Sequence, residues 1–127
     1  MQQSVDPIVM QWLDLQPPES IWTTSVTVFE VRMALELLAA SRRRRTLEEA
    51  FAKALEEDFD GRVLPFDSAA AQAAGRIAAE RRRAGRSIEI RDVQIAGIAV
   101  ARKAAIATRN VRHFQDLGIA LIDPWSP

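Results

Sequence analysis

The sequence predicts a single α/β domain in which a central parallel sheet is covered by helices. Three observations carry that expectation. Short segments rich in β-branched residues alternate with longer segments of helical periodicity, the order that parallel sheets require. The 127 residues suffice for one domain with one modest core. The hydrophobic fraction of 48% is too high for a disordered chain.

Composition narrows the function classes. Lys plus Arg total 17 and Asp plus Glu total 17, so the formal net charge is +0, whereas a protein that coats nucleic acid is usually more basic. Cysteine is absent, which excludes disulfides and thiolate metal sites. One histidine, His113, excludes a site built on a histidine cluster. Apolar stretches are short and broken by Arg, Lys or Glu, so no transmembrane span fits. The opening MQQSVDP lacks the basic-then-apolar order of a signal peptide. The expectation is a soluble cytoplasmic domain with no membrane partner.

The first element expected is a short helix, started by Asp6-Pro7 and showing Ile8, Val9, Trp12 and Leu13 on one face. Pro17-Pro18 ends it. Ile21 to Val26 reads as a strand. A helix follows from Val28 to about Ala40, with Phe29, Met33 and Leu37 recurring at spacing four, and the run Arg42 to Arg45 closes it. Thr46 is expected to start the next helix, with Glu49 completing a capping box and Leu47, Ala50, Phe51, Ala54 and Leu55 on its face. After Gly61, Arg62 to Phe66 reads as a strand. Asp67 or Ser68 then caps an alanine-rich helix to about Arg83, suited to close approach against a neighbour. A further helix spans about Asp92 to Lys103, with the stripe Val93, Ile95, Ala96, Ala99 and Val100. Ala105 to Thr108 and Ile119 to Ile122 read as strands, and Pro124-Trp125 ends the fold.

Ligands of parallel sheets sit beyond the carboxyl ends of the strands, here near Thr27, Asp67 and Thr108-Arg109-Asn110. Glu30 reads either as the partner of Thr27 in a capping box or as a metal ligand. Asp92 reads either as a helix N-cap or as a second carboxylate at the same sheet edge. Two carboxylates with no cysteine and little histidine suit a hard divalent ion such as Mg²⁺ or Mn²⁺. Asp67 reads as a cap more readily than as a ligand. In IATRNVRHF, Thr108 and Asn110 suit a phosphate oxygen or a metal-bound water, and Arg109 and Arg112 suit phosphate. His113 is either a helix-end residue or a substrate contact. The runs Arg42 to Arg45 and Arg81, Arg82, Arg83 and Arg86 read as solvated helix ends or as contacts to phosphate or an acidic partner.

The segments SVTVFEVRMALELL, GRVLPFDSAAAQAAGRIAAERRRAGRSIEIRDVQIAGIAVA and IATRNVRHFQDLGIALIDPW resemble the PIN-domain family, in particular the VapC-like and FitB-like toxins of type II toxin–antitoxin systems. The resemblance covers nearly all of the chain in order. It implies a compact α/β domain and a Mg²⁺- or Mn²⁺-dependent endoribonuclease that cleaves RNA with an activated water. It also implies a homodimer and a cognate antitoxin that blocks the site. Glu30 matches the acid of the family's S-x-T-x-x-E segment, and Asp92 the aspartate of its D-x-x-I-A segment. By the same match Asn110 aids a second metal or orients water, and His113 stands where an aspartate is common. Family members open with a strand carrying an aspartate, and nothing precedes Met1 here. The expectation is therefore a PIN-like domain over residues 1–127 without that N-terminal strand, or a start lying upstream.

The leading functional expectation is an endoribonuclease toxin with Glu30, Asp92 and Asn110 as catalytic residues, the two acids also holding metal. Arg109, Arg112 and His113 are its RNA-contact candidates. A second expectation is a catalytically impaired relative acting through an antitoxin or another protein. A third is a structural domain whose acids are all helix caps.

Overall fold

The computed structural model describes residues 7–124 and residue 126. The Asp6 cap and Trp125 fall outside the described residues, as do the side chains of Val9 and Leu13. Contacts group the chain into two compact units, residues 18–65 and residues 1–17 with 66–127. Parallel strands with flanking helices make up both, so the α/β expectation holds. The strands form two separate pairs, one in each unit.

In the first unit, β1 (Thr23–Thr24) pairs in parallel with β2 (Val63–Leu64). The strand expected over Ile21 to Val26 is cut short because Thr24 caps a helix. Its hydroxyl accepts the Thr27 amide at 3.0 Å, and α2 runs Ser25–Leu37. Helix α3 runs Arg42–Lys53 and starts four residues before Thr46. Ser41 is the better cap, accepting the Arg44 amide at 3.1 Å, and arginine is itself a good helix former. The arginine run therefore opens α3 rather than closing α2. Thr46 lies inside the helix and donates its hydroxyl to the Arg42 carbonyl at 3.0 Å. A π-helical turn, Ala54–Asp58, follows. Arg62 ties the loops around β1 together. It donates to the carbonyls of Ile21 at 2.9 Å, Pro18 at 2.6 Å and Asp58 at 3.2 Å.

The second unit holds α1 (Pro7–Asp14) and the main core. Helix α4 (Ser68–Arg83) is capped by Asp67, which accepts the Ala70 amide at 3.0 Å. Helix α5 (Ile90–Arg102) packs directly on α4. Ala70, Ala73, Ala74 and Ile77 of α4 are buried, as are Val93, Ala96, Gly97, Ile98 and Ala99 of α5. The expected stripe holds at Val93, Ala96 and Ala99, whereas Val100 is exposed and Ile98 takes the interior position. A Cβ at Gly97 would lie 2.4 Å from the Ala70 carbonyl oxygen, so glycine sets the spacing of the two helices. Lys103 ends α5 in the left-handed region, φ 55°. The chain then enters β3 (Ile106–Ala107), which pairs in parallel with β4 (Leu121–Ile122). Each strand covers two residues, shorter than the sequence suggested.

Candidate functional site

The segment after β3 is shaped by its own polar groups. The Thr108 amide completes the sheet by donating to the Ile122 carbonyl at 2.9 Å. Its hydroxyl accepts the Asn110 amide at 3.0 Å, and the Asn110 carbonyl accepts the His113 amide at 3.0 Å. These bonds wind Val111–Phe114 into one 3-10 turn. Phe114 anchors the turn in the core at 4% exposure. His113, beside it, is thereby turned outward.

Helix α5 supplies the facing group. Its N-cap is Glu89, whose carboxylate accepts the amides of Arg91 at 2.9 Å and Asp92 at 3.2 Å. Asp92 is thus not the cap, and its side chain is left for another partner. The Asp92 Oδ2 lies 2.9 Å from His113 Nδ1. An ionised carboxylate only accepts, so the ring donates from Nδ1. Burial pushes the Glu89 pKa up, but hydrogen bonds from Arg91 and from the Asp92 and Arg91 amides outweigh it and hold the carboxyl below its usual range. The arrangement can hold an imidazole in one tautomer and offer a hard carboxylate oxygen beside it. Asn110, Arg109 and Arg112 lie in or beside the same turn with exposed side chains.

Glu30 belongs to the other unit, half-buried in the second turn of α2. Because Thr24 caps that helix, the Thr27–Glu30 capping box does not form. Asp67 caps α4 as expected and also faces Arg102 at 3.6 Å. Among the described residues no group of three His, Cys, Asp or Glu side chains converges as a metal site. Asp92 offers the hard oxygen that suits Mg²⁺ or Mn²⁺ and His113 only a ring nitrogen, so among the described residues the pair has too few donors for either ion. A depression of about 200 Å³ in the same unit is lined by Glu80, Arg81, Arg86, Asp116 and apolar neighbours, and includes none of the expected catalytic or metal residues.

A second feature is one the sequence half revealed. Phe29, Met33 and Leu37, spaced by four along α2, are 57%, 39% and 80% exposed. Val26 and Leu35 face the interior instead. The stripe is flanked by a closed ionic quartet. Arg32 meets Glu36 at 2.6 Å and Glu48 at 2.5 Å, and Arg44 meets Glu36 at 3.0 Å and Glu48 at 3.4 Å. The hydrogen bond from Arg32 holds the Glu48 carboxyl below its usual range. Trp22 in the same unit is also half exposed.

The sequence pattern of the PIN domain matches residues 6–119. The chain is a member of the PIN-domain family. Within it, the chain is closely related to VapC- and FitB-type toxins of toxin–antitoxin systems. It is 35% identical over 117 residues to the plasmid stability protein StbB of Pseudomonas syringae, covering 92% of this chain and 84% of that one. It is 33% identical over 122 residues to the VapC ribonuclease Y4jK of Sinorhizobium fredii, covering 96% and 87%. The crystal structure of FitAcB from Neisseria gonorrhoeae superposes with a TM-score of 0.89 at 28% identity, covering 99% of this chain and 91% of that chain. No helix among the described residues is long and apolar enough to cross a membrane.

Proposed function

We propose that this PIN-domain protein is the toxin-side partner of a two-protein toxin–antitoxin module and acts by binding its antitoxin through α2. The observation that carries this reading is the exposed Phe29, Met33 and Leu37 stripe. Apolar side chains at spacing four on one helix face suit a partner that brings its own apolar face, and the flanking ionic quartet gives the rim polarity. The similarity to FitAcB supports a two-protein assembly, and a homodimer of this chain belongs to the same proposal. Co-expression of the full chain with FitA- and VapB-type antitoxins tests it. The stripe variant Phe29→Asp with Leu37→Asp is expected to stay folded and lose co-purification. An unchanged complex with the double variant contradicts the reading.

The close approach of Asp92 and His113 favours a second reading, hydrolysis of RNA phosphodiesters with Mg²⁺ or Mn²⁺. The similarity to a VapC ribonuclease supports it. In this reading Glu30 and Asp92 are the metal-holding acids and Asn110 orients a water or phosphate oxygen. Arg109, Arg112 and His113 meet RNA. The described donors are too few to complete an ion site, so the protein-binding reading stands first. Titration calorimetry with Mn²⁺ decides between them. Saturable binding that disappears in Asp92→Asn, with RNA cleavage lost in the same variant, moves hydrolysis to first place.

A further inference from the structure

The two arginine runs have different fates in the fold. In the second run, Arg81 donates to the Gln115 carbonyl and Arg86 pairs with Asp116 at 3.2 Å. In the first run only Arg44 is engaged by acids. The neighbouring acids Glu36 and Glu48 are consumed by the quartet with Arg32 and Arg44, two positive charges on two negative. No acid lies in the first turn of α3. Arg42, Arg43 and Arg45 are exposed and form no ion pair among the described residues. Three arginines without an ion pair among the described residues therefore stand within four residues, with Glu49 one turn beyond Arg45. They also oppose the α3 dipole, which disfavours cations in a first turn by about 0.3–1 kcal/mol each. Their side chains suit a helix, but their charges add nothing to the folding of this unit.

We infer that Arg42, Arg43 and Arg45 form a contact surface for the phosphate backbone of an RNA strand. At 100° per residue the three side chains fan over about 160° of the helix end. A partner helix lying along one face meets at most two of them, whereas a flexible chain of phosphates curving round the end meets all three. Guanidinium forks suit phosphate oxygens in two-point contacts. The choice of RNA rests on the RNA reading above, but the contact itself needs no cleavage.

The test is fluorescence anisotropy of a labelled single-stranded RNA in EDTA, where no hydrolysis occurs, using the full chain. Substituting all three arginines by glutamine is expected to weaken binding by about 10-fold to 100-fold at 0.1 M salt, with a salt slope shallower by about 2. The same triple variant melts no lower than the parent, because first-turn repulsion is removed. Arg86→Gln, which removes a charge already paired, leaves the slope unchanged. Asp92→Asn retains RNA binding, which separates failure of hydrolysis from failure of this contact. An unaltered slope in the triple variant overturns the inference, as does an equal loss per charge in Arg86→Gln. Tighter capture of an acidic peptide or of single-stranded DNA than of RNA also overturns it.

Discussion

One methyl group at Gly97 would meet the Ala70 carbonyl oxygen at 2.4 Å and the Ala74 Cβ at 2.7 Å. Both neighbours belong to a packed helix, so neither yields cheaply. Gly97→Ala is expected to destabilise the protein by about 1–3 kcal/mol, read from denaturant midpoints. Phe114→Ala is expected to cost about 3–5 kcal/mol through the cavity it leaves. It also frees the turn that holds His113 against Asp92, so the Nδ1 contact should be lost, visible in the ¹⁵N shifts of the imidazole. The alanine-rich pattern of α4 indicates that something approaches closely. It does not say that a glycine on α5 does so, because that depends on the register in which the two consecutive helices pack. Asp92 is a similar case. Its residue type and position were legible, but Glu89 as the actual cap, and His113 as the actual partner, depend on the 3-10 turn anchored by Phe114.

Helix α3 shows how neighbouring signals compete. Thr46 with Glu49 is a valid capping pattern, but Ser41 lies earlier and precedes four good helix formers. Ser41→Ala should lower stability by about 1 kcal/mol, whereas Thr46→Ala should leave the start of α3 in place; helical circular dichroism on melting distinguishes the two. The quartet beside this start is pH-sensitive in a defined direction. The Arg32 hydrogen bond lowers the Glu48 pKa from its ordinary 4.5, so folding binds fewer protons there than the unfolded chain does. That contribution is present above the unfolded value and is lost as pH falls through the lowered one. Glu48→Gln is expected to flatten the fall in melting temperature as pH drops from about 4.5 through the lowered value, and to melt lower than the parent at neutral pH, where the parent's contribution is fully present. Strand lengths were the poorest guess. The β-branched residues of Ile21 to Val26 satisfy a strand pattern, but the Thr24 cap commits Ser25 onward to a helix.

At the scale of the whole molecule, alternating elements and ordered segments were enough to indicate a parallel α/β fold of the PIN-domain type. Which face of α2 is left exposed was not legible. Phe29, Met33 and Leu37 look like an ordinary buried stripe until Val26 and Leu35 are found to occupy the interior. An exposed stripe at helical spacing is the part of the fold for which intramolecular packing gives no use, and it is the basis of the protein-binding account. Hydrogen exchange of the full chain with and without a FitA- or VapB-type antitoxin tests that account most directly. The account predicts slowed exchange over residues 25–37 in the complex, abolished together with binding by Phe29→Asp and Leu37→Asp. A stable complex that leaves exchange over residues 25–37 unchanged would contradict it.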